Sequence, residues 1–284
     1  MSIKEAHKKP VLSAPKWMQK AFAIVEWISP FLAYRLAIYL FFTPIRFKAP
    51  ATEKKVAKQA KRRILKFKNN KIQTYEWGSG ESAILLVHGW SGRATQVAHI
   101  AKRLNAEGYQ VISFDAPAHG YSNGRHTHLM EFGELILRMQ EEYPNIEAVI
   151  GHSMGGAATV YAILHGFKVN KCVLIGSPAS TSWILHSFCE QINVSTKVAE
   201  LMKIRLEKKF EKEINEISLE EMAKQVDIPA LILHDEDDVD APVESAHRIH
   251  KNWKNSKLVL TKKLGHRRIL KDAVVAQHII DFLK

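Results

Sequence analysis

The residues Gly151-His152-Ser153-Met154-Gly155-Gly156 have the types and spacing that could do chemistry. They follow the apolar run Ala148-Val149-Ile150 and lead into a stretch of helical character, Ala157 to His165. A Ser between glycines, where a strand turns into a helix, is the nucleophile-elbow pattern G-x-S-x-G. Such a turn is sharp and strained. It lifts the hydroxyl out of the sheet, and small neighbours let the backbone pass close by. Gly/Ser-rich strand-helix turns also occur without chemistry, so the reading of Ser153 as a nucleophile requires a base and an acid.

Candidates for both lie downstream. Leu231-Ile232-Leu233-His234 reads as a strand, followed by the acidic cluster Asp235-Glu236-Asp237-Asp238-Val239-Asp240 and then Ala241-Pro242. A second strand-like run, Lys257 to Thr261, precedes Leu264-Gly265-His266. His266 is the candidate general base for the Ser153 proton, and a carboxylate would hold its tautomer and stabilise the imidazolium. The cluster offers four aspartates for that role: Asp235, Asp237, Asp238 and Asp240. Taken singly, a Gly-His loop and an acidic loop are ordinary surface features. Three such elements in order, each at the end of an expected strand, point to nucleophilic acyl chemistry. The fourth part is an oxyanion hole. Ala83-Ile-Leu-Leu-Val87 reads as a buried strand running into His88-Gly89-Trp90-Ser91-Gly92. A His-Gly loop there supplies one backbone N–H and the residue after the nucleophile supplies another. The expected donors are the amides of Trp90 and Met154. His88 itself is read as structural.

The order Ser, acid, His and the elbow resemble the alpha/beta-hydrolase superfamily over about Lys71 to Lys284. In that superfamily a strand ending in His is followed by H-x-x-x-D-x-x-V-P. Laid on His234 to Pro242, the resemblance implies Asp238 as the acid, with Ala241 in place of the usual Val and Asp237 as runner-up. Phe114-Asp115-Ala-Pro-Ala-His119-Gly120-Tyr-Ser122 resembles the superfamily's turn after the strand that ends at Phe114, in which Asp115 would tie down backbone. His234 to Asp238 and Leu264 to Leu270 are similar to bacterial members described only as alpha/beta hydrolases, which carries architecture and not substrate. The implied activity is a serine hydrolase cleaving a carboxylic ester or thioester through an acyl-enzyme. Acyl transfer, carbon–carbon bond hydrolysis and a non-catalytic membrane-associated scaffold are the alternatives.

The elements that must position these residues follow from periodicity. Strands are expected near Val111–Phe114, Ala148–Ile150, Lys171–Ile175, Ala230–Leu233 and Leu258–Leu260, in addition to Ala83–Val87. Helices are expected near Ala94–Glu107, Glu131–Glu142, Met154–Gly166, Glu244–His250 and Ala273–Leu283. This alternation predicts an α/β fold, a mostly parallel doubly wound sheet whose loops at the strands' carboxyl ends carry the site. Residues 71–284 form the expected catalytic domain. Amphipathic stretches containing Trp183, Leu185, Phe188, Val198, Leu201 and Met202 predict a helical cap inserted over residues 179–226. Ordinary peripheral helices are the other reading. Cys172 and Cys189 fall in different elements, so no disulfide is expected.

Residues 1–70 read as a basic, apolar helical extension. Of the net charge of +12, residues 1–73 carry 17 basic and 3 acidic side chains, net +14, and the rest is near neutral at −2. Ala21 to Phe42 is largely apolar and as one helix would measure roughly 33 Å. Glu26, Pro30 and Arg35 oppose a membrane span. Val56, Ala60, Ile64 and Phe67 make a stripe at helical spacing flanked by Lys and Arg. The segment either packs on the catalytic domain, lies on an anionic membrane surface, or spans. No secretory leader is expected, and the expected location is cytoplasmic, with peripheral attachment to the inner face of a membrane as the surface reading implies. No nucleotide motif occurs, no nucleic-acid partner is expected, and His126-Thr127-His128 is too slight for a metal site. No metal or organic cofactor is required.

Overall fold

The computed structural model describes residues 14–284. Two helices come first, α1 (Lys16–Ile28) and α2 (Pro30–Phe41), then α3 (Ala51–Gln59), β1 (Lys61–Phe67), β2 (Asn70–Trp77) and β3 (Ala83–Val87). The alternating part follows with α4 (Ala98–Ala106), β4 (Gln110–Phe114), α5 (Leu129–Glu142), β5 (Ile146–His152), α6 (Met154–Leu164) and β6 (Lys171–Ile175). Next come α7 (Thr181–Ile192), α8 (Thr196–Phe210), α9 (Leu219–Ala223), β7 (Ala230–Asp235), α10 (Glu244–Asn252), β8 (Ser256–Thr261), α11 (Gly265–Arg268) and α12 (Ala273–Leu283).

The eight strands form one sheet in the order β1-β2-β4-β3-β5-β6-β7-β8. Only β2 runs antiparallel to its neighbours β1 and β4, and all other pairings are parallel. Helices cover both faces of a parallel sheet, so the inner strands lose the in/out alternation and become continuous apolar runs. Ala83–Val87 and Ala230–Asp235 are buried at every position. On one face, Phe132, Leu135, Ile136 and Met139 of α5 join Val160 of α6 and Ile249 of α10. On the other, Ile100 and Leu104 of α4 meet Val275 and Ile279 of α12. The parallel registers pair Val87 with Gly151, His152 with Ile175, and Asp235 with Thr261. The carboxyl ends of β3, β5, β6, β7 and β8 therefore lie along one edge, and the loops that leave them meet there.

The apolar N-terminal stretch breaks at Pro30 into two helices. Ser29 takes an extended conformation, and its hydroxyl accepts from the Leu32 amide at 3.3 Å. Pro30, which has no N–H to give, occupies the first position of α2. Each helix is thus about 20 Å long at most, and no described helix is long and apolar enough to cross a membrane. Phe22, Ala33 and Ala37 pack with Leu185, Cys189, Val198, Met202 and Leu206 of α7 and α8 in a third core. Glu26 accepts from the Ser195 amide at 3.0 Å and from the Ser195 hydroxyl, bracing the start of α8. The stripe from Val56 to Phe67 also divides. Val56 lies on α3, whereas Ile64 and Phe67 belong to β1, where Leu65 and Phe67 point inward and Ile64 outward.

Beyond α2 the chain straps onto the loops at the carboxyl ends of the strands. The Arg46 guanidinium donates to the carbonyls of Ala118, Gly120, Ser122 and Gly124, at 2.8–3.3 Å. Glu53 accepts from Arg93 Nε at 2.7 Å and from Thr95 Oγ1 at 2.9 Å, and the two charged side chains are only 7% and 9% exposed. Removing one member of a buried pair leaves the other charge without compensation. Glu53→Ala is therefore expected to destabilise the fold by about 3–5 kcal/mol. Urea unfolding of the variant beside the wild-type protein measures the difference.

Candidate active site

Ser153 stands between β5 and α6 with φ 55° and ψ −125°, a conformation that L-residues rarely hold. Close packing on both sides holds the turn. A Cβ at Gly151 would lie 2.5 Å from Gly156 Cα, and one at Gly155 would lie 2.5 Å from the His88 carbonyl oxygen. Gly151 and Gly155 let β5, α6 and the loop after β3 approach within backbone contact. The loop after β3 reaches the serine itself, because a Cβ at Gly89 would come within 2.7 Å of Ser153 Cβ. The Ser153 amide donates to the Ile175 carbonyl at 2.9 Å, which fixes the elbow to the end of β6.

His266, near the start of α11, turns Nδ1 to Asp238 Oδ2 at 2.7 Å. The Asp238 side chain is 1% exposed and its other oxygen accepts from the amides of Asp240 and Ala241, both at 2.9 Å. The remaining aspartates do other things. Asp235 accepts from the amides of Asp237, Leu264 and Gly265 and from Thr261 Oγ1, at 2.8–3.1 Å. Burial raises its pKa, but these donors outweigh burial and leave it below its ordinary value. Asp235 thus anchors the turn that presents His266. Asp237 accepts from the Lys263 amide at 2.8 Å. Among the four, only Asp238 bonds to His266.

Gly176, at φ 56°, lies over this pair. A Cβ there would stand 3.3 Å from both Asp238 Oδ2 and His266 Nδ1. Because Gly176 follows the Ile175 carbonyl that holds Ser153, the serine turn and the Asp238–His266 pair share the ends of β6 and β7. Among the described residues, neither Ser153 Oγ nor His266 Nε2 has a hydrogen-bond partner, and no bond joins them. Catalytic hydrogen bonds in ligand-free enzymes are often long and tighten on the bound substrate. The Trp90 and Met154 amides likewise have no protein acceptor among the described residues. Met154 is the first residue of α6, so its N–H has no intrahelical partner.

Two further histidines frame the pair: His152, next to the nucleophile in the sequence, and His234, which opens the H-x-x-x-D pattern. His152 Nε2 donates to the His266 carbonyl at 2.9 Å, with ring centroids 4.7 Å apart. His234 Nε2 donates to the Ala241 carbonyl at 2.9 Å and sits 3.6 Å from Asp238 Oδ2. His88 and His119 hold loops. His88 donates to the Gly89 carbonyl and accepts from the Ala116 amide, and His119 accepts from the Ser91 amide beside Trp90. Asp115 accepts from the amides of Ala94 and Tyr121 and from the Tyr75 hydroxyl. Of the His-x-His pair, His126 meets Thr43 Oγ1 at 3.0 Å and His128 accepts from the Glu131 amide at the start of α5. No group of three His, Cys, Asp or Glu side chains fit to hold a metal ion occurs among the described residues.

Burial pushes the pKa of His152 down to about 3, with His266 adding to the effect, and those of His119 and His128 to about 4. Burial lowers His88 and His234 too. The four with the deepest shifts, His88, His119, His128 and His152, stay neutral in the folded protein while the unfolded chain takes up protons below its ordinary value of about 6.5. A depressed pKa gives stability that is complete above the unfolded value and is lost as pH falls toward the folded value. Each histidine then costs about 1.4 kcal/mol per pH unit. Asp115 and Glu131, raised by burial, offset part of this. The urea midpoint is expected to fall steeply from pH 6.5 to 4.5, and a flat profile would contradict neutral buried histidines.

Known proteins share this architecture. Residues 82–210 match the family model described as alpha/beta hydrolase fold, and residues 211–284 match that of TAP-like protein. The chain is 36% identical over 83 residues to the dihydrolipoyllysine-residue acetyltransferase component of the acetoin cleaving system of Cupriavidus necator. That match spans 28% of this chain and only 22% of the relative's length. It is 23% identical to the uncharacterized hydrolase YugF of Bacillus subtilis over 249 residues, covering 72% of this chain and 91% of that protein. Among solved structures, the esterase Pf2001 of Pyrococcus furiosus superposes with a TM-score of 0.65 at 20% identity, over 85% of this chain and 98% of that one. With the sheet order, the strained elbow and both family models in agreement, the chain belongs to the alpha/beta-hydrolase superfamily.

Proposed function

We propose that this protein is a serine hydrolase that cleaves a carboxylic ester or thioester through an acyl-enzyme. The observation that carries the reading is the 2.7 Å bond from His266 Nδ1 to the buried Asp238, at the same strand ends as the Ser153 elbow. Asp238 accepts a hydrogen bond from Nδ1–H, which keeps that proton on Nδ1 and leaves Nε2 as a base. Nε2 takes the Ser153 hydroxyl proton as Oγ attacks the carbonyl carbon, and the carbonyl π-bond electrons move to oxygen. The Trp90 and Met154 amides stabilise that oxyanion. The tetrahedral intermediate collapses, and the C–O or C–S bond breaks as His266 returns its proton to the leaving alcohol or thiol. Water then repeats the sequence and frees Ser153. Acyl transfer to another alcohol uses the same residues, with that alcohol in place of water. The inserted helices α7, α8 and α9 are proposed to act as a cap that shapes the acyl pocket.

Stoichiometric labelling by a fluorophosphonate, lost in Ser153→Ala, tests the reading. Absence of labelling where a control serine hydrolase reacts would favour a non-catalytic scaffold. A panel of esters and thioesters of graded acyl length then defines the substrate. We also propose that the protein works at an anionic membrane surface, supported by the exposed apolar side chains of α1 and α2 and the lysines among them.

A further inference from the structure

Fourteen large apolar side chains remain exposed among the described residues, and eight of them lie on α1 and α2. Trp17 and Trp27 are 71% and 87% exposed, at a spacing that places them with Lys20, Ile24 and Ile28 along one side of α1. A water-soluble surface seldom gathers so much apolar area, and tryptophans beside lysines suit the boundary between headgroups and acyl chains. Next to this surface, α2, α8 and the loop before α5 line an open cavity of about 680 Å³. Its walls carry Arg35 from α2 and Arg205 and Lys209 from α8. None of these three cations has an ion pair among the described residues, and Lys209 rests over the rings of Phe42 and Phe210.

The cavity holds one acid, Glu131, against those three cations, and His128 stays neutral. One carboxylate against three cations leaves an excess of positive charge, which a bound anion would relieve. Phe31 and Tyr39 line the same cavity and are themselves exposed apolar residues of α2, so the cavity borders on the apolar surface. We infer that this cavity is a headgroup site for an anionic phospholipid. Arg35, Arg205 and Lys209 take the phosphate, while the acyl chains lie against the apolar side chains of α1 and α2. The inference rests on the membrane-surface reading and adds a defined anion site to it. It does not depend on Ser153.

The test is sedimentation of the full chain with vesicles of phosphatidylcholine alone and of phosphatidylcholine mixed with phosphatidylglycerol. Each basic residue near an anionic surface multiplies binding about fivefold. The combined variant R35Q/R205Q/K209Q is therefore expected to lose on the order of a hundredfold in binding to the mixed vesicles, with its melting temperature in the absence of lipid unchanged. Trp27→Ser is expected to weaken binding to both vesicles. If the wild-type protein binds neither vesicle, the surface reading fails and the headgroup site fails with it. If it binds mixed vesicles and the triple variant binds them equally well, the headgroup site alone is wrong. A thermal shift by inorganic phosphate that the triple variant lacks, without vesicle binding, would assign the cavity to free phosphate and overturn the lipid proposal.

Discussion

Ser153→Ala and His266→Ala are each expected to lower ester hydrolysis by about a thousandfold or more while leaving the fold intact. Without the hydroxyl no acyl-enzyme forms. Without the imidazole no group is placed to take the hydroxyl proton. Neither change opens the core, because Ser153 is half-buried at the head of α6 and His266 lies on the short α11 with an 11% exposed side chain. Circular dichroism and thermal unfolding of both variants should therefore match the wild-type protein. Fluorophosphonate labelling separates their roles, since Ser153→Ala loses the acceptor atom and His266→Ala keeps the atom but slows its reaction. The two losses should not add in the double variant, because each removes the same concerted step. If either single variant kept more than about a tenth of wild-type turnover, the assignment of these residues would be wrong.

The parallel part of the fold was legible because burial on two faces writes long apolar runs into the sequence, as in Ala83–Val87 and Ala230–Leu233. The glycines around Ser153 were legible because backbone contact there leaves no room for a side chain. The first strand was not. In Lys61–Phe67 the apolar residues Ile64, Leu65 and Phe67 satisfy both a period of two and a spacing of three, and seven residues are too few to decide. The pairing of β1 with β2 settles it, and that pairing depends on residues the local pattern does not contain. Pro30 signalled an interruption of the apolar N-terminal stretch, and Ser29 supplied the cap that turns the interruption into two helices.

Long-range polar contacts were the least legible. Arg46 reaches carbonyls more than seventy residues away, and Glu53 pairs with Arg93 across forty. Neither leaves a periodic trace, because each is a single side chain answering backbone or charge that tertiary packing brings near. Their effect on the site is nonetheless direct. Arg46 gathers the Ala118–Gly124 turn, whose His119 holds the Ser91 amide, and Ile45 donates to Ser91 Oγ at 2.9 Å. The loop that carries the Trp90 amide is thus held from two sides, one of them the N-terminal strap. The basic extension is joined to the candidate site through this strap as well as through the third core with α7 and α8.

Asp238→Asn is expected to give the largest activity loss of any aspartate in the acidic loop, on the order of a thousandfold to ten-thousandfold. The reason is a tautomer. Asp238 Oδ1 accepts two backbone amides, so an Asn at this position would keep its carbonyl oxygen there and turn its NH2 group toward His266. That NH2 donates to Nδ1, forces the ring proton onto Nε2, and removes the base that Ser153 requires. Asp235→Asn should behave differently. Asp235 receives four donors, the amides of Leu264 and Gly265 before His266, the amide of Asp237 and the Thr261 hydroxyl, and an amide can satisfy only some of them. Its main effect should be a lower melting temperature with a smaller fall in kcat, and Asp237→Asn should change little beyond the Lys263 contact. Measuring kcat/KM and melting temperature for these three variants and Asp240→Asn together separates orientation of the base from support of its loop. A larger kcat/KM loss at Asp237 than at Asp238 would move the acid by one residue. Equal losses at Asp235 and Asp238, each matched by a fall in melting temperature, would mean that the loop's folding and not the His266 tautomer sets the activity.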